Sequence, residues 1–162
     1  MSLKTVGIGV ILIAAVLLRS HLVEGRKRRL SLCEELYGFL LHARTRISCY
    51  LEPPSRLHIG VESRLLYECG FLSALEAGQP LLTALDGSSL KRELTDEEYA
   101  AAREVISYIG TGYLKEQIEL LDGGIDRFSA LLLNEKDSLS RDVKLINTLS
   151  ASLAVGIAIV LI

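Results

Sequence analysis

Three features predict an all-α protein in which a helical middle domain is flanked by N- and C-terminal transmembrane helices. Uncharged apolar runs lie at both ends, Thr5–Leu18 with 14 residues and Leu145–Ile162 with 18, in a chain of 162. Between them, apolar residues recur at spacings of three and four, the period of a helix with one buried face. No stretch alternates apolar and polar side chains long enough to argue for a sheet. The chain is 49% hydrophobic with a mean hydropathy of +0.33, high for a soluble domain, which assigns part of it to lipid.

As helices the two runs measure about 21 and about 27 Å, against a hydrocarbon core of roughly 30 Å. Lys4 and Arg19 flank the shorter run, and their stems extend its span by lying along apolar surface with the charge at the interface. A secretory signal is the competing reading of this run. Against it, only Lys4 precedes the run, no A-x-A site closes it, and Arg19 and Arg26-Lys27-Arg28-Arg29 follow. By the positive-inside rule this basic flank places the middle of the chain in the cytoplasm, with anionic membrane lipid as its contact. The expected organisation is an N-terminal transmembrane helix over 1–18, a cytoplasmic helical domain over 19–144 and a C-terminal transmembrane helix over 145–162.

Within the middle, Cys33, Leu36, Leu40, Ala43, Ile47 and Tyr50 outline one face of a helix from about Lys27 to Leu51, ended by Pro53-Pro54. Leu65, Leu66, Cys69, Leu72, Ala74 and Leu75 form the next apolar group. It leads to Gly78 as a stop and to Pro80 as the first-turn residue of a short helix ending at Leu85. Asp86-Gly87-Ser88-Ser89 reads as a turn. Thr95 stands three residues before Glu98, the spacing of a capping box, and opens a helix from Asp96 to about Ile109 with Tyr99, Ala102, Val105, Ile106 and Ile109 inward. Gly110-Thr111-Gly112 breaks the chain. Beyond it Leu114, Ile118, Leu121, Ile125, Phe128 and Leu132 form a heptad-like seam, continued by Leu139, Val143 and Ile146. Gly123-Gly124 costs about 1 kcal/mol per glycine and bends this segment unless packing holds it. One long helix entering the membrane is expected.

The chemistry inventory argues against an enzyme. With 18 basic and 20 acidic residues the net charge is −2, which excludes the basic bias of a nucleic-acid partner. Cys33, Cys49 and Cys69 lack any C-x-x-C and read as reduced, partly buried thiols. His21, His42 and His58 have no ligand partner at helical spacing, so no metal is expected. The glycine pairs lack the lysine of a phosphate loop, so neither a nucleotide nor another cofactor is expected and the chain should not hydrolyse ATP. Asp96-Glu97-Glu98 sits where a helix N-terminus favours negative charge. Neither span carries an ionisable residue, whereas transport pathways usually need one. Small residues in both, Gly7 and Gly9 in the first and Ser150, Ala151, Ala154, Gly156 and Ala158 in the second, allow close helix packing and association into a homo-oligomer.

Several phrases resemble a known family. The layout of a short N-terminal span, a basic flank, a helical middle and a C-terminal span is similar to that of the stage III sporulation protein AB family of spore-forming Firmicutes. Ile109-Gly110 and Gln117 fall where that family shows a Leu-Gly followed by a spaced Gln, and Lys144–Leu149 resembles its lysine-led last span. Leu75–Leu82 followed by Ala84-Leu85 resembles the L-x-x-G-x-P-L-x-x-A-L run of type II secretion F domains. Tyr113, Ser150 and Gly123-Gly124 depart from the family pattern. The resemblance implies an F-domain-like bundle in the outer forespore membrane, facing the mother-cell cytoplasm. It also implies a sporulation channel or secretion complex with other channel subunits and a cytoplasmic ATPase, stage III sporulation protein AA.

The combined expectation is a non-enzymatic, membrane-anchored platform that docks this ATPase. Its candidate contacts are exposed residues, Lys115, Glu116 and Gln117 beside the glycine corner and Asp96, Glu97 and Glu98 at the acidic helix start. The alternatives are an inner-membrane platform subunit of a type II secretion or pilus system, whose chains are usually longer and duplicated, and a small pore-forming protein, whose spans would need a polar face.

Overall fold

The computed structural model describes the backbone of residues 3–161 and the side chains of residues 23–146, Thr148 and Ser152. These residues form seven α-helices and no strand: α1 (Leu3–Tyr50), α2 (Arg64–Glu68), α3 (Phe71–Glu76), α4 (Leu81–Gly87), α5 (Leu90–Glu93), α6 (Asp96–Ser107) and α7 (Leu114–Leu161). The all-α reading stands. Arg29–Glu135 makes one compact unit, and the outer ends of α1 and α7 make a second.

In the compact unit, α1 buries the expected Cys33, Leu36, Leu40, Ala43 and Ile47, and adds Leu32 and Phe39. Tyr50 is instead 65% exposed, because the helix stops there. Leu51 takes a left-handed φ of 54°, unusual for a side chain with a Cβ, and its N–H donates to Ile47 O at 3.2 Å. Arg46 lies 3.1 Å from Glu52 and ties the departing chain to the end of α1.

The apolar group over 65–75 is two helices rather than one. Gly70, at φ 84°, separates α2 from α3 in a backbone conformation that few other residues adopt. The turn brings the Phe71 ring edge-on to Phe39, centroids 5.1 Å apart, in the middle of the core. Pro80 caps α4 from outside rather than joining its first turn, with an extended ψ of 146°. Asp86 and Gly87 continue α4, which reduces the expected turn to Ser88-Ser89. Four-residue α5 is too short to leave a periodic signal, yet it buries Leu90 completely.

The capping box of α6 is present, with Glu98 N–H donating to Thr95 Oγ1 at 3.2 Å and Thr95 N–H to Glu98 Oε2 at 2.8 Å. From the seam of α7, Leu121, Ile125, Phe128 and Leu132 are buried, whereas Leu114 is exposed and Ile118 half-buried. Arg44 bonds both oxygens of Asp122, at 2.8 and 2.9 Å, and since Arg29, earlier on α1, meets Glu135, later on α7, the two helices run antiparallel in this unit. Counting eight residues from each partner of the Arg44–Asp122 pair, Leu114 is level with Glu52, past the end of α1 at Tyr50. The glycine pair leaves α7 unbroken. A Cβ on Gly124 would lie 2.7 Å from Val105 Cγ2, so α6 packs directly on the backbone of α7 there.

In the second unit, Arg26 of α1 pairs with Asp142 of α7 and donates to Ser138 Oγ at 3.3 Å. Thr148 and Ser152 hydroxyls donate to carbonyls one turn back, Lys144 O and Thr148 O, at 3.0 and 2.9 Å. Among the described residues no helix is long and apolar enough to cross a membrane. The apolar run over 5–18, nearly all of that over 145–162, the small residues within them, His21, and the flanking Lys4 and Arg19 lie outside the described side chains.

Candidate functional site

Successive helical residues point about 100° apart, so an acidic run at a helix start cannot all face one way. Asp96 and Glu97 are exposed, but Glu98 is only 7% exposed, which corrects its expected place on a partner surface. One oxygen, Oε2, accepts the Thr95 N–H; the other, Oε1, lies 3.6 Å from Arg29 Nε on α1. Arg29 also donates to Glu135 of α7. Its guanidinium thus stands between two carboxylates and joins α1, α6 and α7.

The basic flank therefore divides by helical period. Arg26 and Arg29, three residues apart, each meet α7 carboxylates, whereas Lys27 and Arg28 are exposed. One turn beyond Arg29, the Cys33 thiol is pushed up to about 12, first by burial and then by the nearby Glu98 charge. It stays protonated and inert as a nucleophile. Burial also raises Cys69, while Cys49 is exposed, unlike the partly buried thiol expected there.

At the glycine corner, Lys115 and Glu116 are exposed. Gln117, expected beside them on the surface, is only 8% exposed; the helical turn carries it inward. Two apolar pairs that sequence reasoning missed as surface features lie at this end of the unit. Tyr113, 85% exposed, and Leu114 open α7, and Tyr50 and Leu51 close α1. The Arg44–Asp122 pair places both pairs at the same end, since α1 and α7 run antiparallel through it. Their only signal in the sequence was apolar character next to chain breakers. The phrase Gly78-Gln79-Pro80-Leu81-Leu82 forms one wall of a groove of about 510 Å³ whose other walls include Pro54, Ile106, Ile109 and Thr111.

Charge is partitioned as sharply as apolar surface. Arg29–Glu135 holds 10 basic and 17 acidic residues, a net of −7, and the rest of the chain holds 8 basic and 3 acidic, a net of +5. Within the compact unit several acids have cations at hand. Asp86 meets Arg103 at 3.1 Å and Tyr99 OH at 2.5 Å, and those bonds hold its carboxyl below the usual range. Glu104 meets Arg127 at 2.7 Å. Among the described residues no three His, Cys, Asp or Glu side chains are grouped to hold a metal ion; His42 lies instead 3.2 Å from Ile59 O. The compact unit thus combines an acidic body, an exposed apolar end and a groove. In comparisons with known proteins, no family model matches the chain, and neither a curated protein nor a solved structure matches it.

Proposed function

We propose that the chain is a non-enzymatic platform anchored in a membrane at both ends, a subunit of a sporulation-type channel or secretion complex similar to the stage III sporulation protein AB family. In this reading the runs over 5–18 and 145–162 are the spans, and the basic flank lies against anionic lipid. The compact helical unit hangs in the mother-cell cytoplasm, below the outer forespore membrane. There it docks a motor ATPase, stage III sporulation protein AA, and relays its movements to other channel subunits.

The observation that carries the reading is the charge partition, a surplus of five positive charges around the apolar runs against a deficit of seven in the compact unit. Anionic lipid attracts the first and repels the second, which supports reading the basic flank, and not the compact unit, as the lipid contact. The exposed corner of Lys115 and Glu116, with Tyr113 beside it, offers a partner an apolar anchor within a charged rim.

Affinity capture from sporulating cells tests this, with the wild-type chain compared with Glu116→Lys and Tyr113→Ala. Capture of the ATPase by the wild type and its loss from either variant is the expected result. An ATPase absent from every sample would overturn the docking role, and a reporter fused after Arg29 that proves active outside the cell would overturn the topology.

A further inference from the structure

The groove of the compact unit, at about 510 Å³, has the volume of a ligand site. Leu81, Ile106 and Ile109 in its lining are buried and give it an apolar floor, whereas Pro54, Ser55, Gly78, Gln79, Pro80 and Thr111 are exposed. It is an open trough. Small-molecule sites enclose most of their ligand, which this one does not. Two of its walls are held by proline. Pro80 stands ahead of α4 with an extended ψ of 146°, and a Cβ on Gly110 would lie 3.1 Å from Pro54 Cγ, so the Pro54 wall packs on the backbone that follows α6.

No charged residue lines the trough. Of the charged residues within two positions of the lining along the chain, Glu52 is paired with Arg46 and Glu104 with Arg127, and Arg56 and Glu76 are opposite in sign. An ion entering it would lose hydration and gain no partner. The polar groups of the lining are neutral, and two are unused: the Ser55 hydroxyl and the Gln79 side-chain amide make no hydrogen bond to any described residue. That amide offers donors and an acceptor together. An extended peptide presents the same mixture along its backbone, whereas a helix has already spent its N–H and C=O groups on itself. The net charge of −7 on the compact unit repels acidic segments and attracts basic ones. We propose that the trough between Pro54-Ser55, Gly78–Leu82 and the C-terminal end of α6 docks an extended segment of a protein partner, apolar and uncharged where it enters and flanked by Lys or Arg. The site uses none of the residues of the Lys115–Glu116 corner, and it stands whether or not the two apolar runs span a membrane.

The full chain in detergent, used to select from a display library of random peptides of about nine residues, tests it; extended, such a peptide reaches about 30 Å. The enriched sequences should carry apolar residues at alternate positions between Lys or Arg flanks and bind one per chain in fluorescence anisotropy. Gln79→Ala, at an exposed position, should weaken a selected peptide about fivefold, the worth of one hydrogen bond. Thr111→Trp, also exposed, should fill the trough and abolish binding with helical content unchanged by circular dichroism. Four outcomes would overturn the proposal: no enrichment, enrichment of acidic peptides, selected peptides that turn helical when bound, or wild-type affinity in both variants.

Discussion

Val105 Cγ2 stands 2.7 Å from where a Cβ on Gly124 would sit. Helices α6 and α7 approach there too closely for any side chain, and their contact supports a long helix through two adjacent glycines. Gly123 has nothing within 4 Å of its would-be Cβ. The two positions should respond oppositely to alanine. Gly124→Ala should destabilise by about 1–3 kcal/mol through overpacking, and Gly123→Ala should stabilise by about 1 kcal/mol through helix propensity. Urea unfolding reads both, and adding Val105→Ala should recover part of the first loss. Equal effects at the two sites would contradict the close approach.

Arg29 separates a packing role from a topological one. Arg29→Leu leaves Glu98 and Glu135 without the cation between them. Because Arg29 and Glu135 are only partly buried, although Glu98 is buried, the cost should be about 2 kcal/mol, below the roughly 3–5 of a fully buried pair. Lys27→Gln, two residues earlier and exposed, should change stability by less than about 0.5 kcal/mol. An unfolding midpoint unmoved by Arg29→Leu would remove the three-helix junction.

The cysteines should differ in reactivity. At mildly alkaline pH an alkylating reagent should label the exposed Cys49 and spare Cys33 and Cys69 until the chain unfolds. With its thiol pushed up to about 12 from 9.0, Cys33 has roughly a thousandfold less thiolate than an unperturbed cysteine. Peptide mapping of the labelled chain decides the matter; comparable labelling of Cys33 and Cys49 would refute the burial at the junction.

Arg44's paired hydrogen bonds hold the Asp122 carboxyl below the usual carboxylate range, so the folded chain binds that proton less tightly than the unfolded chain. The stabilisation is therefore full above the ordinary carboxylate pKa, about 3.9, and fades as pH falls through the lower folded value. Both side chains are substantially exposed, which limits the pair to about 0.5 kcal/mol. Asp122→Asn should cost that much at neutral pH, and its unfolding curve should merge with the wild type in acid. A gap that persists undiminished in acid would show that the ion pair is not its source.

Short-range signals in the sequence were read correctly where one helix satisfies itself. Thr95 and Glu98 complete their reciprocal bonds within one turn, so spacing alone located the start of α6. The inward face of α1 from Cys33 to Ile47 was legible for the same reason, since a buried stripe repeats with the helical period. The break at Gly70 and the short α5 were not, because a five- or six-residue helix carries too few apolar residues to distinguish one helix from two.

What the amino-acid order determined is the helical class, the capping of α6, the glycine corner and the separation of charge along the chain. All of these depend on neighbours within a few residues. Only the tertiary structure decided that Glu98 and Gln117 turn inward, that Gly124 is a packing contact, and that Arg29 meets Glu135, 106 residues away. Ion pairing and close packing depend on which helices are brought together. No local spacing records that choice, because the partners become neighbours only after the chain has closed around its core.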